Sequence, residues 1–577
     1  MAKVTLTIDG RKVEVEAGTT VLEAARQAGI NIPTLCYLEG LNAIGACRVC
    51  VVEVKGAKTL QTSCVLPVAE GMEVKTNSPA VRASRRLTVE LLLSDHPYEC
   101  LTCIRNQNCE LQALAESLGI RRVRFEGEKH TAAIDESSPS IVRNNNKCVL
   151  CRRCVAVCDK IQSVKAIGPQ ERGFDTSIAP PFDLPLGDSL CVNCGQCTLV
   201  CPTGALHEHD DTELVWAALA DPKKHVVVQT APATRVTIGE MFGMPPGSVV
   251  TGKMVAALRR LGFDRVFDTD FTADLTILEE GYELVHRLQE GGVLPLITSC
   301  SPGWIKFIET FFPEFLPNLS TCKSPQQMFG ALAKTYYARK AGIDPADIFV
   351  VSIMPCTAKK FEARRPEMTD SGYPDIDVVL TSRELGRMLK QAGIVFDALA
   401  EEEYDAPLGI STGAGAIFGA TGGVMEAALR TAYEVVTGQT LPALDFESVR
   451  GMEGIKEASV DVGGTTLHVA VAHTLGNARR VLEAVKAGTA QYHFIEIMAC
   501  PGGCIGGGGQ PIPTTDEIRK KRIAAIYQVD RDMPLRKSHD NPVIKVLYEE
   551  FLGEPNSHKA HELLHTHYVP RYQYAQL

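Results

Sequence analysis

Cys500 and Cys504 stand three residues apart in Glu496-Ile497-Met498-Ala499-Cys500-Pro501-Gly502-Gly503-Cys504, followed by Ile505 and the glycines Gly506 to Gly509. Two thiols on so glycine-rich a backbone can hold one metal cluster and leave room for a bulky group beside it. A glycine loop with two buried thiols is the plain alternative, and the rest of the cysteine inventory weighs against it. The chain carries 20 cysteines in 577 residues, fifteen of them before residue 202 in short-spaced groups. Cys148, Cys151, Cys154 and Cys158 form C-x2-C-x2-C-x3-C, and Cys191, Cys194, Cys197 and Cys201 repeat it, with Pro202 closing the second copy. Paired runs of this kind hold two 4Fe-4S clusters in bacterial-type ferredoxins, the fourth cysteine of each run crossing to the other cluster. One cluster then takes Cys148, Cys151, Cys154 and Cys201, and the other takes Cys191, Cys194, Cys197 and Cys158.

Two further groups lie upstream. Cys36, Cys47, Cys50 and Cys64, spaced C-x10-C-x2-C-x13-C, suit a 2Fe-2S centre or a structural zinc. His96, Cys100, Cys103 and Cys109, spaced H-x3-C-x2-C-x5-C, suit a 4Fe-4S cluster with one imidazole ligand or a Cys3His zinc. Chains of clusters move electrons and make no bonds, so the reaction must lie further along.

The elements that position these residues are legible in outline. Lys3–Ile8 and Lys12–Glu16 alternate like strands about an Asp9-Gly10 turn, and Thr19–Gly29 reads as a capped helix. That is the start of a β-grasp fold. Val81–Leu93 is helical in pattern. Beyond residue 210, apolar runs at Val226–Val228, Val293–Ile297 and Phe349–Ile353 alternate with helical stretches such as 251–261 and 273–288, which predicts an α/β domain with parallel sheet. Three cysteine turns follow such strands, where open α/β sheets bind ligands: Thr298-Ser299-Cys300-Ser301-Pro302-Gly303-Trp304, Met354-Pro355-Cys356-Thr357-Ala358-Lys359-Lys360-Phe361-Glu362, and the Cys500 loop. The expected fold class is multidomain α+β and α/β, divided at 1–78, 79–125, 126–209, 210–512 and 513–577.

A net charge of −10 argues weakly against a nucleic-acid partner. The opening MAKVTLTIDGRKVEVE lacks an apolar h-region, and no run of about twenty apolar residues is present to span a membrane. A cytoplasmic protein with metal-bound thiols is the expectation.

The first two domains resemble the iron-sulfur domains that open the large iron-sulfur subunit of complex I and several hydrogenases. The Cys356 and Cys500 turns resemble the MPCxxKxxE and ExMACxxGCxxGGGxP signatures of the iron-only (FeFe) hydrogenases, and the Cys300 turn nearly matches their TSCCPxW. The TSCSPGW form looks like the catalytic subunit of multimeric NAD(P)H- and ferredoxin-linked hydrogenases, including electron-bifurcating ones. The resemblance implies an H-cluster: a 4Fe-4S cubane joined through one cysteine sulfur to a two-iron unit with CO, cyanide and azadithiolate. It implies Cys504 as the bridging ligand, with Cys356 and Cys500 also on the cubane, and Lys359 on a cyanide. Ala231, Pro232, Gln326, Met354 and Phe418 would line the two-iron pocket. It also implies a proton path through Cys300, Glu280, Ser320, Glu283 and Arg287; Glu280 and Glu283 share one face of a predicted helix. Flavin- and NAD(P)-binding subunits, small iron-sulfur subunits or ferredoxin would exchange electrons with the N-terminal clusters. The C-terminal region resembles the family's small-subunit segment.

One departure matters. The second cysteine of TSCCP is Ser301 here. With fifteen cysteines used upstream, Cys322 is expected to replace the lost cubane ligand and leave Cys300 as relay; ligation by Cys300 or by Ser301 are the rivals. Two lookalikes are set aside. Gly413–Gly419 mimics a nucleotide loop but has the wrong spacing, and His561-Glu562-Leu563-Leu564-His565 matches a zinc-protease motif but reads as a helix face. A stand-alone ferredoxin hydrogenase and a non-catalytic electron-transfer or hydrogen-sensing subunit are the alternative functions.

Overall fold

The computed structural model describes residues 2–462 and 464–571, so the last six residues of the 513–577 segment lie outside it. Lys3–Ile8 and Arg11–Glu16 form the expected hairpin, inside a five-stranded sheet completed by Glu73–Lys75, Val51–Val54 and Gln61–Thr62. The helix Val21–Gln27 packs on it and starts with a capping box: Thr20 accepts from the Glu23 N–H and Glu23 accepts from the Thr20 N–H. The helix Pro79–Asp95 then leads to His96.

Past residue 220 the chain builds two four-stranded sheets. In the first, Arg265–Asp268, His225–Thr230, Ile348–Met354 and Val378–Thr381 are all parallel. In the second, Leu296–Ile297, Phe494–Met498 and Thr465–His473 are parallel, and Ile455–Val462 closes the edge antiparallel. The strand expected over 293–297 shrinks to Leu296–Ile297, because Val293 and Leu294 lie on the surface and have no apolar face to bury. The parallel strands are buried throughout, which explains their unbroken apolar runs. The helix Thr269–Glu290, called the relay helix below, starts beside the first sheet, and its first half is buried.

The ferredoxin-like domain docks on the ends of these strands. Gln196 Nε2 donates to Gly506 O (2.9 Å), Thr198 Oγ1 to Gly508 O (3.1 Å) and Gln162 Nε2 to Ala499 O (2.9 Å). A Cβ on Gly508 would stand 2.4 Å from Cys194 O, so glycine there is what lets the two backbones meet.

The C-terminal segment wraps the catalytic domain. Its helix Asp516–Asp532 is fastened by Asp530, which pairs with the fully buried Arg430 at 2.9 Å, while Glu426 takes the same guanidinium at 2.6 Å.

Candidate active site

The three cysteine turns leave the carboxyl ends of Leu296–Ile297, Ile348–Met354 and Phe494–Met498 and converge on one largely apolar cavity of about 70 Å³. Cys356, Cys500 and Cys504 line it, together with Cys300, Ser301, Lys359, Ala231, Pro232, Gln326, Met354 and Phe418. Thr269 and Ala273, which the motifs did not single out, join Met498 of the Cys500 motif in completing the wall. Gly503 turns the loop with φ +91°, and a Cβ there would lie 2.7 Å from the Thr421 nitrogen, so the loop can run this close to the 420–421 backbone only without a side chain.

Burial holds the thiols of Cys356 and Cys500 above their usual range and pushes Cys504 up to about 12. Ligation to iron reverses that penalty, because the metal ion displaces the thiol protons. Lys359 Nζ donates to Glu362 Oε2 (2.8 Å) and to Cys300 O (3.2 Å), which holds the ammonium at the cavity wall. Gln326 donates to the same carboxylate oxygen at 3.1 Å, and its own Oε1 is buried with no partner. That orphaned acceptor, three convergent thiols and a fixed cation make a wall that fits an anionic metal cluster.

Cys322 does not belong to this wall. It is fully buried on the far side of the relay, and its thiol is pushed up by burial and then by Glu283, Glu280 and Glu279. Its backbone bridges to His565 of the C-terminal chain, and its thiol lies near the carboxylates of the relay helix. Ser301 lines the cavity beside Cys300, with its hydroxyl accepting from the Ala499 N–H at 3.2 Å, next to Cys500. Cys300 faces Glu280, Lys359 and Cys504.

From Cys300 a line of polar groups leads outward. Glu280 sits beside Ser320 and Glu283; burial first, and then the Glu283 charge, raise its carboxyl to about 8. Glu283 accepts from Ser320 Oγ (2.8 Å) and from Arg287 (2.6 Å), and Arg287 ends at the carbonyls of Val293 and Leu319. A carboxyl that is neutral near pH 7 can both donate and accept a proton. Unfolded, Glu280 ionises near 4.5; folded, near 8. Between those values the unfolded chain holds fewer protons, so stability falls as pH rises. Glu280→Gln is therefore expected to gain thermal stability over the parent progressively across that window while losing hydrogen turnover; thermal midpoints at its two ends, read beside the activity, check both.

The accessory thiols also gather. Cys36 with Cys47 and Cys50 with Cys64 hydrogen-bond in pairs; the bond from Cys36 pulls Cys47 down to about 6, and the bond from Cys64 pulls Cys50 down to about 7. His96, Cys100, Cys103 and Cys109 line a small cavity, where burial and then Lys147 push His96 down to about 4, leaving the neutral imidazole a ligand requires. Cys148, Cys151, Cys154 and Cys201 line a third cavity, and Cys158, Cys191, Cys194 and Cys197 a fourth, so the last cysteine of each run crosses over. Cys194 in turn lies close enough to Cys500 to raise its proton affinity.

Comparison with known proteins agrees with this geometry. Residues 224–508 match the model of the iron-only hydrogenase large subunit, C-terminal domain, and 516–571 that of the iron hydrogenase small subunit. Residues 1–79 match a 2Fe-2S cluster binding domain, 85–124 the NADH-ubiquinone oxidoreductase-G iron-sulfur binding region, and 147–205 a 4Fe-4S dicluster domain. The chain is 54% identical to the NADP-reducing hydrogenase subunit HndD of Solidesulfovibrio fructosivorans, over 99% of this chain and all of that one. The chain belongs to the iron-only hydrogenases. This hydrogenase is also 43% identical to iron hydrogenase 1 of Clostridium pasteurianum, over 98% of this chain and 99% of that one. A solved variant of HydA1 from Chlamydomonas reinhardtii superposes with a TM-score of 0.57 at 47% identity, covering 63% of the hydrogenase described here and 99% of that chain. It is accordingly a catalytic FeFe hydrogenase subunit with accessory iron-sulfur domains, and it carries iron-sulfur clusters and an H-cluster. No helix among the described residues is long and apolar enough to cross a membrane.

Proposed function

We propose that this hydrogenase interconverts hydrogen with protons and electrons as the catalytic member of a cytoplasmic complex, passing electrons through four accessory clusters to partner subunits that use NADP(H) or ferredoxin. The observation that carries this reading is the joining at one cavity of three thiols, a proton path and a cluster path. The H-cluster, with its cubane and its CO-, cyanide- and azadithiolate-bearing two-iron unit, supplies the iron centre at which hydrogen is split or formed. Cys356, Cys500 and Cys504 would hold it, with Ser301 as the candidate for the fourth position. Lys359 has one N–H bond left to offer an anionic ligand. Cys300 takes or delivers the proton at its thiol, with Glu280, Ser320, Glu283 and Arg287 carrying it to the surface, and the apolar wall of Ala231, Pro232, Met354 and Phe418 excludes water.

Electrons have a branched route. Cys194 abuts Cys500, and the two ferredoxin-like cavities share that domain. The Asn42 amide donates to both Cys36 O (2.8 Å) and Cys151 O (3.1 Å), tying the 2Fe-2S domain to one of them, and Arg105 donates to Cys201 O (3.3 Å) from the His96 segment. Two entry branches suit a chain that serves partner subunits, and HndD, named as a subunit of an NADP-reducing hydrogenase, favours flavin- and NADP-binding ones. Matured protein is expected to reduce a viologen dye with hydrogen when alone, and NADP+ only with its partners. Carbonyl infrared bands without dye reduction would instead mark a sensor. In the same preparations, Cys322→Ala is expected to keep the cubane's paramagnetic signal and Ser301→Ala to perturb it; the reverse pattern would restore Cys322 as ligand.

A further inference from the structure

A buried carboxylate next to the relay is not used by the path above. Glu279 immediately precedes Glu280 on the relay helix and is fully buried. Its oxygens accept from Tyr548 Oη (2.5 Å) and the Asn556 N–H (2.8 Å), and His565 Nε2 lies 3.0 Å away. All three partners belong to the C-terminal segment. The other ring nitrogen of His565, Nδ1, lies 2.8 Å from the Thr321 hydroxyl, so the imidazole bridges Glu279 and Thr321. Thr321 in turn donates its N–H to Glu283 Oε2 (3.2 Å), the relay carboxylate also held by Ser320 and Arg287. Backbone bonds fix the same stretch: the Thr566 N–H donates to Thr321 O (2.7 Å) and the Lys323 N–H to Leu564 O (2.8 Å). Thr321 thus stands between His565 on one side and Glu283 on the other.

We propose that His565 is a positioning residue of the proton relay: anchored by Glu279, it fixes Thr321 and so sets the orientation of Glu283. This rests on the reading of Glu283 as a relay group. The C-terminal segment then belongs to the proton machinery and does more than cover the catalytic domain. Within the zinc-protease lookalike, His565 is separated in role from His561, whose ring lies 4.0 Å from that of His565 but on the exposed side of the helix His558–Leu564. The charged and titratable groups facing Glu283 and His565 are Glu279, Glu280 and Arg287 of the relay helix, Cys322 beside Thr321, and Tyr548 and His561 of the C-terminal segment.

A hydrogen bond to a carboxylate favours its ionised form. Loosening Thr321 therefore raises the proton affinity of Glu283. In the matured full chain, His565→Ala is expected to lower hydrogen oxidation about 10- to 100-fold, the scale of an ångström-sized misplacement, and to move the acid limb of the pH–rate profile to higher pH, with the carbonyl infrared bands unchanged. Thr321→Val, which keeps the shape and removes the hydroxyl, is expected to move that limb the same way, and His565→Gln to restore part of it through its amide N–H. Added to Glu283→Gln, His565→Ala should cause no further loss. An unmoved profile in His565→Ala or in Thr321→Val, or additive losses in the double variant, overturns the inference. Should His565→Ala fail to fold, Thr321→Val decides alone. Full turnover in Glu283→Gln would instead bring down the relay reading itself.

Discussion

Cys300→Ala is expected to lower hydrogen turnover by about 10²- to 10⁴-fold, the range for losing a positioned acid–base group. The thiol stands at the cavity wall facing Glu280, between the cavity and the first carboxyl of the path. The carbonyl infrared bands and the cubane signal should survive, since Cys356, Cys500 and Cys504 are untouched. That combination separates proton delivery from cluster assembly. Loss of the bands together with activity would show that Cys300 is a ligand and would return the fourth cubane position to it. Cys300→Asp, which restores an ionisable group of similar reach, should recover part of the rate.

Arg430→Ala should cost about 3–5 kcal/mol, the penalty for stripping the cation from buried carboxylates. Arg430 is fully buried, with Glu426 at 2.6 Å and Asp530 at 2.9 Å, both almost completely enclosed. Arg536 also reaches Asp530 (2.5 Å) and Arg450 reaches Glu426 (2.7 Å), so neither carboxylate is left bare, and the loss should sit toward the lower end. Because Asp530 lies on the C-terminal helix Asp516–Asp532, the expected signs are a lower thermal midpoint for the catalytic unit and earlier proteolysis of that helix. In a chain of several domains the midpoint belongs to that unit rather than to the whole. A change below about 1 kcal/mol would mean that the segment is held by apolar packing alone.

Much of the site was legible because cluster ligation is written in short spacings. A C-x2-C-x2-C-x3-C run places its thiols on one turn wherever the run lies, so the accessory groups, down to the crossed Cys158 and Cys201, could be read without coordinates. The cysteine turns carrying Cys356, Cys500 and Cys504 were legible for a related reason: each directly follows a buried strand, and parallel sheets put such turns at one end. The capping box at Thr20 and Glu23 and the helix Thr251–Leu261 likewise depend on neighbours in the chain.

Cys322 and His565 were not legible, and for the same cause. Counting thiols suggested that Cys322 should fill the place of the missing cubane ligand, but a count carries no direction. In the folded chain Cys322 bridges to His565 of the C-terminal segment, stays off the cavity wall, and has its thiol near Glu279, Glu280 and Glu283. The same bridge, joining positions far apart in the chain, draws one histidine of an apparent zinc motif into a proton path and leaves the other on the surface. The sequence by itself determined which thiols are grouped and in what order the domains run, since those follow from local spacing. The tertiary structure decided that Cys322 stays off the cavity wall while Cys300 and Ser301 line it, and what surrounds Glu283, because side chains distant in sequence meet there only once both sheets and the C-terminal segment have packed.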